Sequence, residues 1–191
     1  MNQILGWVEQ AQAGNRLALN HLIDYYQNDI FRLVYYRIHH QSEAEDVTQD
    51  VFVQVIKRIR SLKDRTRFKP WLYQIALNRV RDYYRKKRIL FFMGTTTDIE
   101  SDTKLENSDE TFEKEIFKKE FVQLLKSLSK DFSKWEREIF LLKYIDDMDV
   151  KDISQILGKN ENTVKTHLYR AVGKFKKHKS LREFIQRGDH E

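Results

Sequence analysis

The sequence predicts an all-α protein: two small helical domains joined by a flexible acidic linker. Three observations predict it. Among 191 residues there are one proline and six glycines, strand-like alternation is scarce, and Leu, Ile, Lys, Glu and Gln are plentiful, all of which favours helix. Apolar residues recur at helical spacing on either side of the linker. Between Phe91 and Thr111 that stripe stops: Gly94, Thr95, Thr96 and Thr97 lead into Asp98, Glu100, Asp102, Glu106, Asp109 and Glu110, with only Lys104 against them. Such a stretch lacks the apolar surface that would offset the entropy of ordering it. The expected boundaries are therefore 1–92, 93–111 and 112–186.

In the first domain, helical segments are expected around Leu17 to Ile38, Glu43 to Ile59 and Pro70 to Arg88. Ser42 with Glu45 reads as a capping box for the second. Pro70, the only proline, suits a first helical turn, where a missing N–H costs little. Spacing assigns Leu22, Tyr25, Tyr26, Ile30, Leu33 and Val34 to the core from the first helix. Val47, Val51, Phe52, Val55 and Ile59 follow from the second, and Leu72, Ile75, Ala76, Val80 and Tyr83 from the third. The second helix also carries Asp46, Gln49 and Asp50 at i, i+3 and i+4. Two such carboxylates could ligate a hard cation, but no Gly-containing oxygen-rich loop or third ligand is near. A protein contact or plain solvation is the expected reading.

The third helix has a second face, Gln74, Asn78, Arg81 and Arg85, opposite its apolar stripe. It runs into Tyr83-Tyr84-Arg85-Lys86-Lys87-Arg88 and follows the basic loop Ser61 to Phe68, which includes Lys63, Arg65 and Arg67. Aromatic rings among cations suit single-stranded nucleic acid, where bases stack while Lys and Arg hold phosphates. A solvated helix face with its aromatics in the core is the competing reading.

Helical patterning returns near Phe112, and the last third reads as a helix-turn-helix. Asp149 is placed to cap a first helix with Asp152 completing a capping-box-like start, Gly158 to end it in the left-handed region, and Asn160 to cap the next. In that next helix Val164, Leu168, Ala171 and Phe175 form an apolar stripe, while Thr163, Thr166, His167 and Arg170 share another side. Lys165, Arg170, Lys174, Lys176, Lys177, Lys179, Arg182 and Arg187 oppose only Glu183 between Val164 and Arg187, the electrostatic footprint of phosphate contacts. Any two-helix corner with a solvated lysine face gives a similar pattern.

The net charge of +6 favours an acidic partner, and it is unevenly spread: thirteen Lys and Arg oppose two Asp between Lys57 and Arg88. There is no cysteine, which removes disulfides, thiolate metal sites and thiol nucleophiles and is compatible with a reducing cytosol. Met1 to Gln12 has no basic n-region with an apolar run, and no segment approaches the roughly 20 apolar residues that span a bilayer. A soluble, cytoplasmic protein without stable membrane insertion is expected. No nucleophile, general-base pair or phosphate-cradling glycine loop stands out, so no catalytic residue, metal or cofactor is expected. Two rivals stay open on the residues alone: a helix-turn-helix regulator whose N-terminal half senses a ligand or dimerises, and a metal-dependent enzyme using Asp46, Asp50 and a histidine.

Taken together, these residues resemble the extracytoplasmic function group of bacterial sigma factors in the sigma-70 family, minimal members that retain regions 2 and 4. Ala44-Glu45-Asp46-Val47-Thr48-Gln49-Asp50-Val51-Phe52 looks like region 2.2. Phe68-Lys69-Pro70-Trp71-Leu72-Tyr73-Gln74-Ile75-Ala76-Leu77-Asn78 with its basic tail looks like regions 2.3 and 2.4, and the helix-turn-helix looks like region 4.2. The resemblance implies a dissociable specificity subunit of core RNA polymerase, bound through the β′ clamp and β flap, with no catalysis of its own. Asp46, Gln49, Asp50 and Val53 would contact the clamp's coiled coil. Ser61, Lys63, Arg65 and Arg67, with Gln74 and Asn78, would capture a flipped base of the −10 element. Arg81, Arg85, Lys86, Lys87 and Arg88 would hold backbone phosphates. Thr163, Lys165, Thr166, His167, Tyr169, Arg170 and Lys174 would sit in or beside the major groove of the −35 element. The acidic linker would thread toward the RNA exit channel, and an anti-sigma protein is a further partner the group implies. Two departures stand out. Trp71 is followed by Leu72, so the paired aromatic wedge of primary sigma factors is not expected, and Lys165 stands where the group often has an arginine.

Overall fold

The computed structural model describes residues 2–92 and 131–177, which fall in two compact units divided between Leu105 and Glu106. The acidic linker from residue 93, the return of helical patterning near Phe112 and the basic positions Lys179, Arg182 and Arg187 lie outside the described residues. Among the described residues every regular element is a helix.

The first unit contains α1 (Asn2–Gln12), α2 (Arg16–Ile38), α3 (Gln41–Arg58) and α4 (Phe68–Phe92), with single 3-10 turns at Ile59–Ser61 and Arg65–Arg67. α1, which the periodicity did not pick out, packs on α2, and α2 packs on both α3 and α4. Asn15 starts α2 by accepting from the backbone N–H of Leu17 at 2.9 Å and Ala18 at 3.3 Å. His39, in the left-handed region at φ 60°, ends it. α2 ends at Ile38 as expected, but α3 starts sooner: His40, not Ser42, is its N-cap, with Nδ1 accepting from the Glu43 N–H at 3.3 Å. The Ser42–Glu45 capping box is therefore replaced, because α3 begins at Gln41 and Ser42 already lies inside the first turn.

The core joins Val8, Leu22, Ile30, Leu33, Val34, Val51, Val55, Leu72 and Ala76, each almost wholly removed from water. Each large aliphatic chain buried this way contributes about 1.5–3 kcal/mol. Pro70 is buried in the first turn of α4 as expected. Tyr25 is a correction: it is exposed, its ring edge-on to that of Tyr26, which takes the buried position. Tyr83 is only half-buried, because its hydroxyl is used in a polar contact described below.

The second unit contains α5 (Lys134–Tyr144), α6 (Val150–Leu157) and α7 (Glu161–Lys177), with α5 and α6 both packed against α7. Ser133 and Glu136 form a full capping box for α5. Gly158 ends α6 at φ 63°, and Asn160 Oδ1 accepts from the Thr163 N–H at 2.7 Å to start α7. Asp149 holds the N-cap position of α6 in extended conformation, but its side chain makes no capping bond. Ile139, Leu142, Met148, Ile153, Val164 and Ala171 make the core between these helices.

Candidate nucleic-acid and protein interfaces

On α3, Asp46, Gln49, Asp50 and Val53 fall at i, i+3, i+4 and i+7, and all four are exposed. Ile56, a turn on, is 50 % exposed and Val53 is 41 % exposed. Sequence reasoning missed Ile56; an apolar residue off the core stripe but in register with Val53 was the available signal. An exposed stripe that mixes carboxylates and aliphatics suits a protein partner better than nucleic acid. No cluster of His, Asp and Glu among the described residues could hold a metal ion.

The loop between α3 and α4 is closely tied. Asp64 Oδ1 accepts from the Thr66 backbone N–H at 3.0 Å and from its hydroxyl at 2.6 Å, and these bonds hold its carboxyl below the ordinary range. Ser61 Oγ donates to the Arg58 carbonyl at 2.7 Å. Arg65 turns toward α1, giving Nε to Gln12 Oε1 at 2.8 Å and a terminal nitrogen to Glu9 Oε1 at 2.9 Å. Arg67 is half-buried, its Nε 3.8 Å from Asp64 Oδ2. Lys63 is exposed.

On α4 the expected face exists, with Gln74, Arg81, Arg85, Lys86 and Arg88 exposed and Asn78 half-buried. Asn78, Arg81 and Arg85 are pre-set by local pairs. Asn78 Oδ1 accepts from Arg81 at 2.9 Å. Asp82 receives both Arg79 at 2.7 Å and Arg85 at 2.9 Å. Lys87 does not join this face: its Nζ meets the Tyr83 hydroxyl at 2.9 Å and Glu43 at 3.4 Å. The Tyr83 hydroxyl donates in turn to Glu43, and burial together with that bond raises the phenol far above its ordinary value. Lys87 thus fastens α4 to the start of α3. Trp71 is half-buried with its ring 5.9 Å from that of Phe68, between core and surface.

On α7 the expected side divides in two. Thr166, Tyr169 and Arg170 are exposed, Tyr169 at 83 %, and point away from the buried Val164 and Ala171. Thr163 and His167 are half-buried on the flank, and the His167 Nδ1 is buried with no hydrogen-bond partner. Lys165 is exposed, its Nζ 3.9 Å from Glu161. Lys174 is turned inward: it donates to the Asp131 carbonyl at 2.9 Å and to Glu136 Oε2 at 2.7 Å. Glu136 is only 4 % exposed. Burial alone would push its carboxyl up, yet the bonds from Lys174 and Ser133 outweigh it and leave the carboxyl below its ordinary value.

Comparison with known proteins places both units. Sigma-70 region 2 matches residues 22–89, and sigma-70 region 4 matches residues 120–175. The ECF RNA polymerase sigma factor BldN of Streptomyces coelicolor is 28 % identical over 166 residues, covering 86 % of this chain and 61 % of that protein. The ECF RNA polymerase sigma factor SigW of Bacillus subtilis is 27 % identical over 167 residues, covering 85 % of this chain and 89 % of its own. Among solved structures, the sigma factor RpoE in complex with the anti-sigma factor NepR from Bartonella quintana has a TM-score of 0.65 at 20 % identity. It covers 87 % of this chain and 96 % of that one, a likeness of fold.

Proposed function

The chain belongs to the sigma-70 family, in its extracytoplasmic function group, and we propose that it binds core RNA polymerase and directs promoter recognition, strand opening and transcription initiation. The observation that carries this over an ordinary helix-turn-helix regulator is the α3 stripe of Asp46, Gln49, Asp50, Val53 and Ile56. It offers acid and aliphatic surface for a protein, set apart from the basic faces of the loop 61–67, α4 and α7. In this reading the stripe meets the β′ clamp. The second unit supplies Thr166, Tyr169 and Arg170 to the −35 groove, with Lys165 at its edge and a further contact to the β flap. The first unit takes a flipped −10 base against Asn78, Gln74 and the loop 61–67, while Arg81, Arg85, Lys86 and Arg88 hold phosphates.

The chemistry is physical rather than catalytic. Phosphate and groove contacts position the duplex, and capture of the extruded base offsets the few kcal/mol that unstacking and unpairing cost. Phosphoryl transfer belongs to the polymerase, so the chain acts as a non-enzymatic subunit in the cytoplasm. No helix among the described residues is long and apolar enough to cross a membrane. An anti-sigma protein covering the α3 stripe or the basic faces is the natural regulator.

Transcription reconstituted from the purified chain and sigma-free core polymerase tests this, with Asp50→Arg as the probe of the stripe. Asp50→Arg should weaken core binding about ten-fold or more, through like-for-opposite charge exchange at a contact. Binding of an isolated −35 duplex should be unchanged. Equal loss of both affinities would overturn the division of labour.

A further inference from the structure

One side chain of α1 holds the α3–α4 connection, 59–67, at three points, two of them in the loop 61–67. Gln12, the last residue of α1, donates through Nε2 to the Ile59 carbonyl at 3.0 Å and to the Leu62 carbonyl at 2.7 Å. Its Oε1 accepts from Arg65 Nε at 2.8 Å. Both amide donors and the acceptor are therefore spent on the one connection between α3 and α4. Glu9, one turn earlier, receives the other end of Arg65 at 2.9 Å. Between these points the loop stands away from α1, leaving an open groove of about 790 Å³ walled by Leu5 and Gly6 and by Lys63 to Thr66. From Ser61 to Thr66 only Leu62 is buried, so apolar packing pins the loop at a single place and polar bonds must set the rest of its shape. α1 also lies before residue 22, where the match to sigma-70 region 2 begins.

We propose that α1 is a brace for this loop and that Gln12 is the positioning residue that shapes it for capture of the −10 base. This rests on the reading of the loop given above. A pocket that must accept one flipped base works only if its walls are held within about half an ångström. Gln12 does this through backbone carbonyls, without itself reaching the DNA, and Arg65 is consequently a strut of the loop rather than a phosphate ligand.

The test uses the full chain assembled with core polymerase on a promoter that the wild type opens, with the non-template bases of the −10 element replaced in turn. Gln12→Ala should slow open-complex formation about ten-fold and flatten discrimination between the preferred and replaced base. Core affinity and −35 duplex binding should stay within about two-fold of wild type, since neither uses the loop. Gln12→Glu, which keeps the acceptor for Arg65 but loses both donors to the carbonyls, should behave like Gln12→Ala. Wild-type opening and discrimination in Gln12→Ala, or wild-type behaviour of Gln12→Glu, would overturn the brace. So would a parallel fall in core affinity, −35 binding and opening, which would make Gln12 a general prop of the fold. Asn78→Ala separates the two levels: if it too leaves base discrimination intact, the base-capture reading fails, whereas flattening by Asn78→Ala alone defeats only the brace.

Discussion

The two candidate DNA faces differ in how many of their cations are paired: the first unit leaves Lys63, Lys86 and Arg88 exposed but pairs most of its arginines, while on α7 the surface pair is the long one of Lys165 with Glu161. On the first unit Arg81 rests on Asn78, Arg79 and Arg85 share Asp82, Lys87 is fastened to Glu43, and Arg65 is tied to Glu9 and Gln12. On α7, Arg170, Lys176 and Lys177 are exposed, and the tightly held cation is Lys174, which faces inward to Glu136. The first arrangement gives up positive field to fix positions, as a surface must if it is to select one extruded base. The second keeps the field and spends a single lysine on holding the fold. If the proposed roles hold, the base reader and the duplex anchor differ less in charge count than in how far their charges are committed.

The sharpest way to break that contrast is to remove the committed lysine. Lys174→Met leaves the buried Glu136 carboxylate with Ser133, whose backbone N–H donates to Oε2 at 2.8 Å. It should destabilise the second unit by about 2 kcal/mol, below the full buried-pair figure because Lys174 is itself partly in water. Thermal unfolding followed by circular dichroism would measure it. The pH dependence has a definite sign. A carboxyl held below its ordinary value of 4.5 contributes stability that is complete above that value and is lost as the pH falls through the depressed one. The gap between wild type and Lys174→Met should therefore be widest near neutrality and close in acid. A gap that persists at acid pH would show that Lys174 acts through packing alone.

What could be read from the sequence follows the physics of each signal. Helix existence, the Gly158 stop and the Asn160 cap depend on local spacing and backbone preference, which the residues carry themselves. α1 escaped notice because its amphipathic pattern is short and its value lies in contacts some fifty residues away, such as Gln12 with Leu62. The same limit applied to the cations. Lys87 and Lys174 look like neighbours of Arg88 and Arg170 in a basic run, and only the packing of α3 and α5 reveals Glu43 and Glu136 opposite them. Spacing did separate the Asp46, Asp50 stripe from the core, but not what Ile56 adds to it.

An uncommitted cation should matter more to DNA than a committed one, and Arg170→Ala probes the uncommitted kind. With its guanidinium exposed beside Thr166 and Tyr169, its loss should weaken binding to a −35 duplex about ten-fold and reduce the salt slope by roughly one counterion. Titration of labelled duplex at several salt concentrations would report both. Unchanged affinity would place a different side of α7 in the groove.

Arg85→Ala is the committed counterpart, and its effect should be the smallest. Arg85 is 72 % exposed but lies 2.9 Å from Asp82 Oδ1. Removing it would remove the proposed phosphate contact and also release Asp82, whose other oxygen still holds Arg79 at 2.7 Å. In the proposed reading a phosphate contact by Arg85 would compete with Asp82, so its loss should lower promoter affinity only about two- to three-fold. The pairing itself is open to a double-mutant cycle with Asp82→Asn. If Asp82 restrains Arg85, Asp82→Asn alone should strengthen binding slightly, and Arg85→Ala should cost more in the Asp82→Asn background than in the wild type. Strict additivity would mean that the arginines of α4 are as uncommitted as Arg170, and the distinction between a positioned base reader and an open duplex anchor would lose its electrostatic basis.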